Sequence, residues 1–301
     1  MKAGLLVRLG WAVLAMSMAA PAAAERILFV GNSFTFGAGS PVRFFHPELV
    51  HDLNHHGQGG VPALFKLFAI EAGLDWDVSM EAEAARSLDF HLNSRKAELT
   101  GRWDVVVLQD YSTLNKAHPG DSALHAYDAA GLAALFKAGN PAARILLETT
   151  WPRADQIYPP GTPWHGRSPR AMVDDLARAN AMALLDSRDL AGTAPVGQAW
   201  VLAMDAGVAD PNPYDGTSFG KIDLWTWDHY HAGSPGYYLA ALVIFGRVTG
   251  YDLRRLGPNE RAADELGLSG LTATALQRIA NEALTQAGPA PRGAGPTRAH
   301  R

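Results

Sequence analysis

The chain has 301 residues, a formal net charge of −4, an apolar fraction of 48% and no cysteine. Such a length buries a sizeable core in one large domain, and a weakly acidic balance without basic, aromatic-laced stripes argues against nucleic acid as the main partner. The lack of cysteine excludes disulfides, cysteine nucleophiles, Cys-ligated zinc and iron–sulfur clusters together.

In chain order, Lys2 and Arg8 precede a short apolar run, Gly10 to Met16, and small residues follow to Ala22-Ala23-Ala24. The pattern predicts a secretory signal peptide over residues 1–24, cleaved before Glu25; the run is short for a membrane span. The expected location is therefore periplasmic or extracellular, with no stable membrane anchor. Next, Ile27-Leu28-Phe29-Val30 predicts a buried parallel strand that stops abruptly at Gly31-Asn32-Ser33. Ser33 then lies just past a strand's carboxyl end, where open α/β sheets place ligands, although serine also caps turns there.

Residues 34–60 are rich in Gly, Pro and His and are expected to form a loop. Helices are predicted over 61–73, 88–99, 123–138, 171–185, 197–206, 237–248 and 271–286, and further strands over 76–80, 105–108, 144–149 and 193–196. A long loop, 151–169, carries Trp151 and Trp164, and residues 288–301 are Pro, Gly, Ala and Arg with the composition of a disordered tail. The folded unit is thus expected over 25–287. Strands alternate with helices and no hairpin turn joins two strands, which predicts an α/β fold whose parallel sheet is covered on both faces. Ser33, Gln109 and Thr149 then fall at one shared sheet edge, the expected site.

Near the other end stands Trp227-Asp228-His229-Tyr230-His231-Ala232-Gly233-Ser234-Pro235. Serine hydrolysis needs a base for the hydroxyl proton and an acid that orients the base. An Asp-x-x-His segment leading into a helix lets the carboxylate curl onto one ring nitrogen while the other faces outward.

Gly31-Asn32-Ser33-Phe34-Thr35 and Asp228-x-x-His231 resemble the first and last motif blocks of the SGNH/GDSL hydrolase superfamily, with Asn32 where many members have Asp. The resemblance spans about residues 26–250, and Leu146 to Arg153 resembles a strand and loop of a bacterial subgroup. It implies a flavodoxin-like three-layer α/β/α sandwich and ester hydrolysis through an acyl-enzyme. It also implies Ser33 as nucleophile, His231 as base and Asp228 as its orienter; His229 and Asp223 are the competing assignments. For the oxyanion hole it implies the Ser33 N–H, a backbone N–H at Ala85 or Arg86, with Ala85 the choice, and the Gln109 side-chain amide. The second block, Ala84-Ala85-Arg86-Ser87-Leu88, lacks the usual Gly, and Gln109 replaces the usual Asn. No metal and no organic cofactor is called for.

Trp151 and Trp227 are candidates for stacking on substrate, with Trp164 and Trp225 beside them, and core packing is the alternative for each. His51, His55 and Asp52 have the spacing of helix metal ligands, against which stands a solvated loop. Glu48 with Asp52, and Asp174 with Asp175, fit capping and helix-face roles better than a glycosidase pair. The expected function is an exported serine ester hydrolase for short-chain acyl esters, acetylated carbohydrates among them, with a small-molecule or glycan ester as partner. An O-acyltransferase and a non-catalytic glycan-binding protein with a degraded oxyanion hole are the rival readings.

Overall fold

The computed structural model describes residues 24–289. The predicted signal peptide, apart from Ala24, and the predicted tail beyond Pro289 lie outside them. Among the described residues, six strands form one parallel sheet: β1 (Glu25–Gly31), β2 (His51–Asp52), β3 (Trp76–Ala82), β4 (Val105–Leu108), β5 (Arg144–Glu148) and β6 (Leu190–Ala194). Their order is β2-β3-β1-β4-β5-β6. Without the two-residue edge strand β2, this is the flavodoxin-like doubly wound order.

Helices α1 (Gly60–Glu71), α2 (Leu88–Ser94), α3 (Lys96–Leu99), α4 (Ala123–Gly139), α5 (Ala154–Ile157), α6 (Pro169–Asp186), α7 (Val196–Asp205), α8 (Ser234–Thr249), α9 (Arg261–Glu265) and α10 (Gly270–Gln286) complete the chain. The two-residue period of a strand divides the sheet between two cores. Ile27, Phe29, Val105, Val107 and Leu146 join the larger core with α1, α7, α8 and α10. Leu28, Val30, Val106, Leu108, Ile145 and Leu147 face the other, with Leu132 and Phe136 of α4. The result is the expected three-layer α/β/α sandwich. None of the described helices is long and apolar enough to cross a membrane.

Helix α8 is buried almost all round, from Gly236 to Val248, as its unbroken apolar text requires. It starts with Pro235 in its first turn and stops at Gly250 in the left-handed conformation, φ 69°. This rigid rod follows directly on the Asp228–His231 loop and so fixes where that loop ends.

Three predicted elements differ in detail. The 88–99 helix is two helices, because Arg95 leaves helical geometry (φ −125°, ψ 18°) where its side chain reaches Glu81, Glu83 and Glu98. The last strand is Leu190–Ala194 instead of 193–196; Gly192 inside it weakens the apolar signal. Within 34–60, His51 and Asp52 pair with Ser79 and Met80, a ladder too short to leave a sequence pattern.

Candidate active site

Strands β1 and β4 flank the topological switch point of the sheet, the place where doubly wound folds bind ligands. β1 ends at Gly31, and a Cβ there would lie 2.1 Å from Thr35 Oγ1 and 2.7 Å from Gln109 Oε1. Glycine is therefore required by close approach. The next residues form a tight turn, with Thr35 and Phe36 N–H donating to the Asn32 carbonyl at 2.9 and 3.1 Å and Phe34 N–H donating to Asn32 Oδ1 at 3.2 Å. The amide nitrogen of Asn32 donates to the Arg86 carbonyl (2.9 Å) and the Asp110 carbonyl (3.3 Å), lacing three loops together. From α8, the Tyr237 hydroxyl donates to the carbonyls of Ser33 (3.3 Å) and Ala38 (2.9 Å). Ser33 is thus held from both sides by neighbours whose own positions are fixed.

On the loop before α8, Asp228 Oδ2 accepts from His231 Nδ1 at 2.6 Å. Its Oδ1 accepts from the backbone N–H of His231 (2.8 Å) and Tyr230 (3.0 Å). Burial pushes this carboxyl up, but the His231 ring and the two backbone N–H groups outweigh it and hold it below the usual carboxylate range. His231 Nε2 is buried and has no hydrogen-bond partner among the described residues. The ring sits edge-on to Phe34, the neighbour of Ser33, at 5.7 Å between centroids. Thr226 donates to the Gly39 carbonyl (3.2 Å) and so ties this loop to the segment after Ser33.

The competing pairs do not form. His229 turns away at φ 55° to lie against Tyr214, 4.3 Å between ring centroids, and Asp223 accepts from the Trp225 N–H. The structure brings Asp228 together with His231.

Among the described residues, neither the Ser33 N–H nor the Ala85 N–H finds an acceptor. Ala85 stands at φ 56°, the left-handed conformation for which glycine is the ordinary residue. The segment therefore keeps a glycine-like backbone without the glycine. A side chain at such a φ costs about 1–2 kcal/mol, part of which the looser unfolded chain returns when glycine is installed. Ala85→Gly is expected to raise the thermal midpoint slightly, and a lowered midpoint in a melting curve would contradict the strain.

Gln109 is buried at 1% exposure; its Oε1 accepts from Asn32 N–H and Thr35 Oγ1, each at 3.0 Å, and its Nε2 donates to the Asp110 carbonyl. Its oxygen is committed to the turn around Gly31 and one of its two amide N–H groups to the Asp110 carbonyl, which leaves a single N–H for an oxyanion. Trp151 is corrected as a substrate contact. It is fully buried, stacked on Phe34 (3.9 Å, 4°) and Trp200 (5.2 Å, 9°), and so backs the nucleophile's neighbour. Trp164 and Trp225 are buried too, whereas Trp227 is 82% exposed on the loop of Asp228.

The remaining candidates resolve into local structure. His51 lies 3.0 Å from Asp77, Asp52 accepts from the N–H groups of Asn54, His56 and Gln58, and Glu48 pairs with His46. Asp175 takes hydrogen bonds from Trp164, Arg167 and Arg178. Among the described residues no three His, Asp or Glu side chains are grouped to hold a metal ion.

Residues that the sequence did not single out stand beside His231. The Tyr230 ring lies 4.1 Å from the His231 ring, and the Arg153 guanidinium covers it at 3.6 Å. Arg153 grips Asp155 with Nε (2.9 Å) and Nη2 (2.6 Å) and donates from Nη1 to Ser112 Oγ (3.2 Å). Burial pushes the Tyr230 phenol up, against the Arg153 charge and the hydroxyls of Ser112 and Ser33. The only signal in the sequence was position, since Tyr230 is enclosed by Asp228 and His231 and Arg153 follows a strand end.

Behind the site runs a buried polar chain. Asp110 pairs with His125 (2.8 Å), His125 with Asn180 Oδ1 (2.8 Å), and Asn180 Nδ2 donates to Thr149 Oγ1 (2.9 Å). Asp110 also caps α2 through the Leu88 N–H at 3.0 Å. Glu148 shares a small cavity with Asp110, His125 and Asn180, and burial pushes its carboxyl up to about 8. A raised folded-state pKa favours folding while the carboxyl is protonated in both states, and that advantage is lost as pH rises toward the folded value. Glu148→Gln should therefore melt above the wild type at pH 8 and level with it near pH 5; an equal gap at both would refute the burial argument.

No family model and no curated protein matches the chain. Solved structures do. A protein of the DUF4886 family from Bacteroides uniformis superposes over 87% of this chain and 95% of its own, with TM-score 0.62 and 16% identity. A protein described as a GDSL-like lipase from Parabacteroides merdae matches 75% of this chain and 95% of its own, with TM-score 0.51 and 17% identity. An α/β hydrolase enzyme from the metagenome of Lake Arreo in Spain matches 74% and 94%, with TM-score 0.51 and 14% identity. The chain has the fold of these proteins, a three-layer α/β sandwich.

Proposed function

We propose that this protein is an exported serine ester hydrolase that works through an acyl-enzyme on short acyl esters, acetylated carbohydrates among the candidates. The observation that carries the reading is His231, one ring nitrogen fixed by Asp228 at 2.6 Å and the other buried without a partner beside the Ser33 turn. A hydroxyl placed there loses its proton to Nε2 as it attacks, and Asp228 stabilises the imidazolium that forms. The Ser33 N–H and the N–H at Ala85 receive the charge that develops on the carbonyl oxygen. Protonation of the leaving alkoxide by His231 then frees the alcohol, and water activated by the same ring releases the acid.

Fold likeness to a GDSL-like lipase and an α/β hydrolase agrees with this reading. Short acyl groups suit a nucleophile whose neighbour Phe34 packs against the Tyr230 and His231 rings. One observation favours the non-catalytic reading, namely that all but one N–H of the Gln109 amide is taken up by the Asn32 turn and the Asp110 carbonyl. Hydrolysis of p-nitrophenyl acetate, butyrate and octanoate by the purified protein decides between them. Turnover should fall with acyl length, and no acetate turnover above a Ser33→Ala control would overturn the hydrolase reading.

A further inference from the structure

We infer that the Asp110 carboxylate, aimed by His125, is the positioning residue that holds Ala85 in its left-handed conformation and so presents the Ala85 N–H to the oxyanion formed at Ser33. The role rests on the hydrolase reading above and names what aims its second backbone donor. Ala85 stands at φ 56°, where a residue with a Cβ does not settle unaided, so its surroundings must over-determine it. Before it, the chain is tied to the nucleophile's strand, since Glu83 N–H donates to the Gly31 carbonyl at 3.0 Å. After it, the chain is tied twice: the Arg86 carbonyl accepts from Asn32 Nδ2 (2.9 Å), and Leu88 N–H donates to Asp110 Oδ1 (3.0 Å). The N–H groups on either side of Ala85 are spent, that of Ala84 on Glu83 Oε1 (3.2 Å) and that of Arg86 on the Glu83 carbonyl (3.3 Å). Its own has no acceptor among the described residues.

Asp110 is built as an anchor. It lies buried two residues past β4, and each of its oxygens has a fixed partner. Oδ1 takes the Leu88 and Tyr111 N–H groups (3.0 and 2.6 Å), Oδ2 faces His125 Nδ1 (2.8 Å), and the carbonyl accepts from Asn32 Nδ2 (3.3 Å). A carboxylate only accepts, so His125 Nδ1 carries the proton that holds Oδ2 and leaves Oδ1 for the 83–88 turn. His125 is itself held, because its Nε2 meets Asn180 Oδ1 at 2.8 Å and Asn180 Nδ2 donates to Thr149 Oγ1. Helices α4 and α6 thus brace one side of the oxyanion hole through a single carboxylate. Neither Asp110 nor His125 touches substrate or moves a proton in the reaction. With the anchor in place the Ala85 N–H is aimed before charge develops on the carbonyl oxygen, which is what makes such a donor effective. Without it the turn relaxes to a right-handed Ala85, and that N–H swings out of line.

The test is a double-mutant cycle between positions 110 and 85, read as kcat and KM for p-nitrophenyl acetate with the purified full chain. Asp110→Ala should lower kcat about 100-fold, the usual loss for one oxyanion donor, with KM little changed. In an Ala85→Gly background the same change should cost roughly 10-fold less, the size of the left-handed penalty that glycine escapes. Asp110→Asn should recover most of the lost rate, since its oxygen still takes the Leu88 N–H and its amide donates to a His125 ring whose proton has moved to Nε2. His125→Phe keeps the bulk of the ring and frees Oδ2; it should show a smaller kcat loss with the same rescue by Ala85→Gly, and it carries the test where Asp110→Ala does not fold. Equal losses with and without Ala85→Gly would overturn the role, because Asp110 would then support the fold and not the Ala85 N–H. A KM that rises while kcat holds would do the same, and in both cases the hydrolase reading survives. A wild type with no turnover above Ser33→Ala would overturn both.

Discussion

Ser33→Ala is expected to bring p-nitrophenyl acetate turnover down to background, a loss on the order of 10⁵–10⁶ in kcat if the triad acts as a unit. The size of the effect follows from what is left behind. Without the hydroxyl there is no acyl-enzyme, and a water held by His231 would have to attack unaided. Removal of one oxygen leaves the turn intact, because the structure anchors Ser33 through its carbonyl, which accepts from Ala38 N–H (3.0 Å) and the Tyr237 hydroxyl. The melting curve should therefore barely move. His231→Ala should fall to a similar level, and the double variant should lose little more than either single one, since each removes the same step. Two losses that multiply would mean that Ser33 and His231 serve different steps. Turnover that survives Ser33→Ala would take this serine out of the mechanism.

How far the sequence foretold this site depends on whether a residue's role is set locally or by distant partners. The run Ile27–Val30 and the stop at Gly31 are local signals, and they placed Ser33 at the strand end where it is found. Asp228 and His231 are also legible, since three residues of spacing suffice for a carboxylate to meet both the ring and the backbone N–H groups. The aim of the Gln109 amide was not legible, because it is settled by Asn32 and Thr35, more than seventy positions away, which claim its oxygen at 3.0 Å. Trp151 was misread for a related reason. A tryptophan just after a strand looks like a loop residue, yet the facing Phe34 and Trp200 rings draw it into the core. At Ala85 the residue type argued against a left-handed backbone, and the lacing of its loop to Asn32 through the Arg86 carbonyl accompanies that conformation all the same. Tyr230 left no periodic or motif signal at all, because its neighbours come from three separate loops.

Asn32 offers the sharpest test of that last point, because exchanging its amide nitrogen for an oxygen keeps size and shape and looks conservative. It should not be so here. The side chain is 3% exposed, and its nitrogen donates to the carbonyls of Arg86 and Asp110. In Asn32→Asp both carbonyls would face an acceptor-only carboxylate, with charge added in a buried place. The expected cost is about 2–4 kcal/mol, the scale of stranding buried acceptors beside an unpaired charge. Catalysis should suffer as well, since the same two bonds align the Ala85 loop and the β4 loop with Ser33. The sign of the pH dependence separates this account from a general loss of packing. Burial and two facing carbonyls would raise the introduced carboxyl's pKa above its unfolded value, so its protonated form can still donate one hydrogen bond. The stability deficit should therefore be smallest at acidic pH and widen as pH rises through that raised value. Thermal melts of Asn32→Asp and wild type, compared across pH 4.5 to 8, read the gap directly. A gap that stays constant with pH would mean that the carbonyls do not meet the carboxylate, and that the three loops are held in register by something other than Asn32.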